Sequence, residues 1–266
     1  MQNFCPHGTH YKTFGQIQPH KPTLVFIHGV GLDLSLWEGQ AKAFKDTHQV
    51  ITYDMLGHGL SPHAPADITL VTLAQQLHKL MVHLQLEKIN LVGFSLGGLV
   101  ARVFAIQHLK QLHSLCIMSS VFDRDEKLRH KILKRVNEVD INGPSANIDQ
   151  ALTRWFSCTY TQENAHYIAS LKAKVLANHS ASYRLCYRLF GEGDNVMKEH
   201  LSHISCPTLV TTGELDPGST PTMSYALGAR LPLATVSILP NARHMMPVEN
   251  AHEVNQLLHQ FISTHQ

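Results

Sequence analysis

Apolar positions along this 266-residue chain follow two rhythms. Short, mostly apolar runs recur at Leu24–Ile27, Gln49–Thr52, Ile89–Val92, Leu112–Met118, Thr208–Thr211 and Ala234–Leu239. Runs of this length, bounded by turn residues, predict strands buried on both faces. Between them, apolar residues fall at steps of three and four. Leu70, Leu73, Leu77, Leu80, Met81 and Leu84 form one such stripe, and Val248, Ala251, Val254, Leu257, Leu258 and Phe261 form another. A further helix is predicted from Leu96 to His108. Alternation of this kind predicts an α/β fold with a mostly parallel central sheet and helices on both faces. The first segment, around His10 to Gln18, predicts an antiparallel edge hairpin.

The alternation stops between about Phe122 and His203. Leu128–Val136, Tyr167–Leu176 and Tyr183–Leu189 have helical spacing, and no strand pattern interrupts them. Because the sheet rhythm resumes at Thr208, this stretch predicts an excursion from the fold and not a linker. The expected organisation is a core of residues 1–121 and 204–266 with an inserted helical cap of residues 122–203. The insertion holds 12 of the 22 Lys and Arg residues, which makes it the place to look for cationic side chains facing a ligand.

Composition narrows the function more than the fold. Apolar residues make up 44% of the chain and the formal net charge is +2, so neither nucleic acid nor an anionic membrane is an expected partner. Twenty histidines are present, mostly scattered. No H-E-x-x-H and no H-x-H beside an acid occurs among them, so no metal and no cofactor is expected. Five widely spaced cysteines without a CxxC pair fit reduced thiols better than a disulfide framework. Met1–Lys12 lacks an apolar leader core and no run reaches the length of a membrane span, so a cytoplasmic protein is expected.

The candidate chemistry sits at strand ends. Gly93-Phe-Ser95-Leu-Gly97 lies between a predicted strand and a predicted helix, the setting of a nucleophile elbow. A serine lifted above the sheet on such a turn needs close-packing neighbours without side chains, and the new helix aims its first N–H groups at a developing oxyanion. His28-Gly29-Val30-Gly31 leaves the strand Leu24–Ile27, so the backbone N–H groups of Val30 and Leu96 are the expected oxyanion donors. Asp216 follows the fifth of these strands and His244 the sixth. Ser95, Asp216 and His244 thus stand in the chain order nucleophile, acid, base. A serine hydroxyl needs a base at neutral pH, and the base needs a carboxylate to fix its tautomer. Glu214 is the rival acid. The glycine-rich loop Tyr53–Pro62 lacks the phosphate-loop pattern and predicts a structural turn beneath the site.

These residues resemble the α/β-hydrolase superfamily from Leu24 to Phe261, and within it 3-oxoadipate enol-lactonases. The similar stretches are His28–Trp37, Tyr53–Ser61, Gly93–Gly98, Arg154-Trp155-Phe156 and Cys206–Val210. The resemblance implies cofactor-free hydrolysis of a small ester or lactone through an acyl-enzyme, with a free carboxylate on the substrate. Other hydrolases on this scaffold remain open: a general carboxylesterase, a C–C or amide bond hydrolase, or a receptor with slow turnover. Arg154, Trp155 and Phe156 are the expected pocket residues, with Arg184 and Arg188 as further partners for a carboxylate. Arg243 is a weaker candidate, and Arg102 is expected to point away from Ser95.

Overall fold

Eight strands form one sheet in the computed structural model, which describes residues 3–16 and 22–265. They are β1 (Asn3–Phe4), β2 (His10–Phe14), β3 (Thr23–Ile27), β4 (Val50–Tyr53), β5 (Ile89–Phe94), β6 (Leu112–Met118), β7 (Thr208–Gly213) and β8 (Ala234–Leu239), in the order β1-β2-β4-β3-β5-β6-β7-β8. All neighbours from β4 to β8 are parallel, whereas β1 and β2 are antiparallel to theirs. The antiparallel edge expected near His10 is therefore present as β2, which pairs with β1 on one side and β4 on the other. The end of that predicted segment, at Ile17 and Gln18, lies outside the described residues. Strands β3, β4 and β5 are buried at every position, as unbroken apolar runs between two helical layers should be.

Six helices cover the sheet: α1 (Glu38–Phe44), α2 (Leu70–His83), α3 (Leu96–Gln107) and, after the insertion, α9 (Pro221–Gly228), α10 (Met246–Glu249) and α11 (Ala251–Thr264). Helix α2 starts at a capping box in which Thr69 and Thr72 satisfy each other's backbone N–H groups. The C-terminal stripe, read from sequence as one helix, divides at Asn250 into α10 and α11.

Between β6 and β7 the chain forms α4 (Glu126–Asn142), α5 (Ile148–Trp155), α6 (Cys158–Glu163), α7 (Ala165–Leu176) and α8 (Ser180–Glu192). Periodicity found α4, α7 and α8. It missed α5 and α6, which are only eight and six residues long and offer less than three turns of pattern.

A buried charge cluster ties this insertion to the core. Asp194, fully buried, receives Arg124 at 3.3 Å and Arg129 at 3.2 Å. Arg102 of α3 is also buried and donates to the carbonyls of Gly193 and Asp194, at 3.4 and 3.1 Å. It does point away from Ser95, into the insertion. Burial pushes Arg102 and Arg124 down to about 10, and the Asp194 carboxylate opposes that push. Two other buried polar rings, His28 and His58, lie edge-to-face at 5.0 Å under the centre of the sheet's C-terminal edge. Burial drives both toward the neutral form, His58 to about 3.

Two outcomes follow for stability. Asp194→Asn keeps the shape but leaves Arg102 and Arg124 uncompensated, and should cost about 3–5 kcal/mol, read as a lower urea midpoint at unchanged slope. The folded pKa of His58 lies below its unfolded value of about 6.5, so the unfolded chain binds more protons in between and stability is lost as pH falls through that window. The unfolding free energy of His58→Gln, measured from pH 7 to about 4, should decline less steeply than that of the natural chain.

Candidate active site

Strand order reverses around β3, which lies between β4 and β5, and ligands of open parallel sheets bind at the C-terminal ends of strands beside such a reversal. Ile27 at the end of β3 is paired with Gly93 near the end of β5. The exit loop of β3 and the turn after β5 are consequently side by side. Ser95 occupies that turn with φ 55° and ψ −115°, a left-handed conformation uncommon for a residue with a side chain. The strain is imposed by packing. A Cβ on Gly97 would stand 2.4 Å from the Ile27 carbonyl oxygen, and one on Gly93 would stand 2.3 Å from the Gly97 oxygen. Only glycines let α3 begin so close to β3. The turn is further held by Ser120, whose hydroxyl donates to the Ser95 carbonyl at 2.9 Å.

His28, fully buried, fixes the neighbouring loop. Its Nδ1–H donates to the Gly29 carbonyl at 2.7 Å, while Nε2 accepts the Met55 N–H at 3.0 Å. Both contacts suit the neutral ring, in keeping with its lowered pKa. In a trans peptide the carbonyl and the next N–H point in opposite directions. Pinning the Gly29 carbonyl therefore turns the Val30 N–H the other way. One residue on, Asn178 from the end of α7 donates to the Gly31 carbonyl at 3.0 Å. Among the described residues, neither the Val30 nor the Leu96 N–H donates a hydrogen bond.

On the other side, β7 and β8 deliver the acid and the base. His244 Nδ1 lies 2.6 Å from Asp216 Oδ2, and both residues are buried. The second oxygen of Asp216 accepts the N–H groups of Gly218 and Ser219 at 2.9 and 3.0 Å. A carboxylate saturated in this way holds the Nδ1–H tautomer and leaves Nε2 with its lone pair. Glu214, the rival acid, is exposed and accepts the Asn241 N–H instead. The His244 ring leans on Phe94 at 4.9 Å, the residue before Ser95. Ser95 and His244 line one cavity of about 440 Å³, with no hydrogen bond between them.

The insertion supplies the facing wall. Arg154 and Trp155 line the cavity. Phe156 does not, and the expectation for it is corrected. Helix α5 stops at Trp155, the backbone turns extended at Phe156 (φ −121°, ψ 156°), and the ring is carried away to stack on Tyr160 at 5.2 Å. Arg184 and Arg188 are also absent from the wall: Arg188 pairs with Asp140, and Arg184 donates to the Ile141 carbonyl. Arg243 is likewise turned to a carbonyl, that of Thr153. In their place stand Arg135 of α4 and Tyr183 and Tyr187 of α8. Burial and the neighbouring Arg135 push the Arg154 guanidinium below its ordinary value. Sequence periodicity marked α4 only by its apolar residues, of which Ile132 and Val136 are buried, and so passed over Arg135. Among the described residues no cluster of three or more His, Cys, Asp or Glu has metal-holding geometry, and no helix is long and apolar enough to cross a membrane.

Comparison with known proteins agrees with this architecture. Residues 22–140 match the profile of the alpha/beta hydrolase fold. The (E)-2-((N-methylformamido)methylene)succinate hydrolase of Acinetobacter baylyi is 31% identical over 96% of this chain and 94% of its own. A 3-oxoadipate enol-lactonase of the same organism is 27% identical over 92% of this chain and 89% of its own. The crystal structure of the enol-lactonase from Burkholderia xenovorans LB400 superposes with a TM-score of 0.87 at 24% identity, covering 96% of this chain and 97% of that one. Matched in sequence along nearly its whole length by these hydrolases, and carrying their fold, the chain belongs to the alpha/beta hydrolase family.

Proposed function

We propose that this chain hydrolyses a small, carboxylate-bearing ester or lactone through an acyl-enzyme, with Ser95 as nucleophile, His244 as base and Asp216 as the group that orients the base. The observation that carries this reading is the strained Ser95 turn sharing one cavity with the buried His244–Asp216 pair. In this mechanism His244 Nε2 takes the hydroxyl proton as Ser95 Oγ attacks the substrate carbonyl. The tetrahedral oxyanion is met by the Val30 and Leu96 N–H groups, which need no reorganisation to receive it. Collapse expels the alcohol or enol, which takes the proton from His244. Water, deprotonated by the same ring, then attacks the acyl-serine and frees the acid. Every group in this sequence is supplied by the chain, so no cofactor is required.

Residues 122–203 act as a cap over the site in this reading, and Arg154 receives the substrate's unreacting carboxylate. An apolar pocket wall alone would oppose binding of such a group, because its desolvation is costly without a charged partner. The names of two relatives are compatible with an anionic substrate: one is a succinate derivative and the other a lactone of an oxoadipate. The first also carries an N-methylformamido group, which gives a second reading, hydrolysis of a C–N bond by the same serine.

Ser95→Ala should lower kcat by about 10³- to 10⁶-fold on an activated aryl ester while leaving the unfolding transition in place. A fluorophosphonate should add once, at Ser95, by intact mass and peptide mapping. Retention of more than about a tenth of kcat would remove Ser95 from the mechanism. No turnover of any activated ester by the natural chain would favour a receptor over an enzyme. Asn178 positions the oxyanion loop without touching substrate. Its replacement by Ala should lower kcat roughly tenfold with little change in KM, less than the 10²- to 10³-fold that follows loss of a donor itself. A rise in KM at constant kcat would place Asn178 in substrate binding instead.

A further inference from the structure

The basic residues of the insertion fall into two groups. Arg124, Arg129, Lys172, Lys174, Arg188 and Lys198 all form ion pairs with acids, and Arg184 donates to a carbonyl. Five others have no acid within 4.0 Å among the described residues: Lys127, Lys131, Lys134, Arg135 and Arg154. All of these except Lys127 line the cavity that holds Ser95. The acids on the same lining are Asp216, committed to His244, and Glu138, which forms no ion pair among the described residues. Four unpartnered cations and one unpartnered carboxylate, Glu138 one turn along α4 from Lys134 and Arg135, therefore line a pocket that opens above the serine.

Their arrangement has depth. Arg135 and Arg154 are only partly exposed, and they oppose each other from α4 and α5. Tyr187, 6% exposed, lines the same wall and has no hydrogen-bond partner for its hydroxyl among the described residues. It lies within electrostatic reach of both guanidinium groups. Two half-buried like charges and an unused hydroxyl are costly to hold together unless an anion joins them. Lys131 and Lys134 are exposed at the mouth, with Lys131 one helical turn, about 5 Å, along α4 from Arg135. One carboxylate would occupy the inner pair and leave the outer pair unused.

We propose that the substrate is a dianion: a short acyl chain bearing two carboxylates besides the bond that is cut, one held by Arg135, Arg154 and Tyr187, the other by Lys131 and Lys134. This inference rests on the hydrolase reading for its kinetic test but not for its binding test. In the kinetic test, three 4-nitrophenyl esters of matched length are compared: the pentanoate (uncharged), the hydrogen glutarate (one carboxylate) and the monoester of propane-1,2,3-tricarboxylate (two). In the natural chain kcat/KM should rise about tenfold at each added charge, the size of a partly screened ionic contact. Arg135→Met and Arg154→Met should each lower the dianionic ester at least about 30-fold more than the uncharged one, as loss of a buried charge partner does. Arg135→Lys should recover part of that loss. The Lys131→Met/Lys134→Met pair should erase the step from one carboxylate to two, and that step should shrink with added salt because its cations are exposed.

For binding, Ser95→Ala is titrated calorimetrically with glutarate and with butyrate. Glutarate should bind about tenfold more tightly or better, the difference should vanish when Lys131→Met/Lys134→Met is added, and Arg135→Met should weaken both ligands. Glutarate binding no tighter than butyrate, with esters turned over normally, overturns the dianion and leaves the hydrolase. Tight glutarate binding with no ester turned over overturns the hydrolase and leaves the dianion. Equal losses on all three esters in every variant would make the cationic wall structural and would likewise overturn the proposal.

Discussion

Direct contact between two stretches of backbone is the constraint on which the site depends. The first turn of α3 rests on the carbonyls that end β3, where no side chain fits at Gly97, and on β5, where none fits at Gly93. This contact forces Ser95 into its left-handed conformation, a strain of about 1–3 kcal/mol that a less firmly packed turn would relax. It also fixes the distance between the two loops that carry the Val30 and Leu96 N–H groups. The force that maintains it is ordinary: β3 and β5 are buried throughout, and α3 is buried along nearly its whole length. A large apolar core thus holds one residue in a conformation it would not choose.

Electrostatics divides the molecule differently. In the core, the buried Asp216–His244 pair and the neutral His28 ring find their partners close at hand. The insertion pairs about half of its charges and leaves a set unpaired along one wall. Because unpaired charge in a partly buried place raises the energy of the empty site, that wall is a favourable setting for anions and an unfavourable one for uncharged esters. Under the proposed function, selectivity comes from residues 122–203 while the bond-breaking geometry comes from the sheet.

How much of this was legible in sequence depended on how local each feature is. The strand–turn–helix at Ser95, the strand ends at Asp216 and His244 and the apolar stripes of α2 and α11 are all written within a few residues, and the fold and the grouping of these three residues were readable from them. The wall facing them was not. Phe156 follows Trp155 in sequence, yet the end of α5 between them leaves only the Trp155 ring on the cavity. Arg135 sits on α4, whose orientation is set by packing against α8, and Asn178 meets Gly31 across 147 positions. Pairing decided Arg184 and Arg188, and Asp140 and the Ile141 carbonyl that claim them are more than forty positions away.

The long bonds of the insertion bear on how such a protein could have been assembled. The Asn178 side chain grips the loop after β3, and the Trp155 carbonyl accepts the Met245 N–H beside His244. Arg102 of α3 reaches back to Gly193 and Asp194. The loop after β3, the helix that follows Ser95 and the loop that holds His244 thus each have one foot in the segment between β6 and β7. Two of these attachments end on main-chain carbonyls, so a relative's segment put in place of residues 122–203 could keep them only by following the same backbone path. Side chains along α4 and α5 can vary without touching these bonds, whereas the path of the backbone between β6 and β7 cannot.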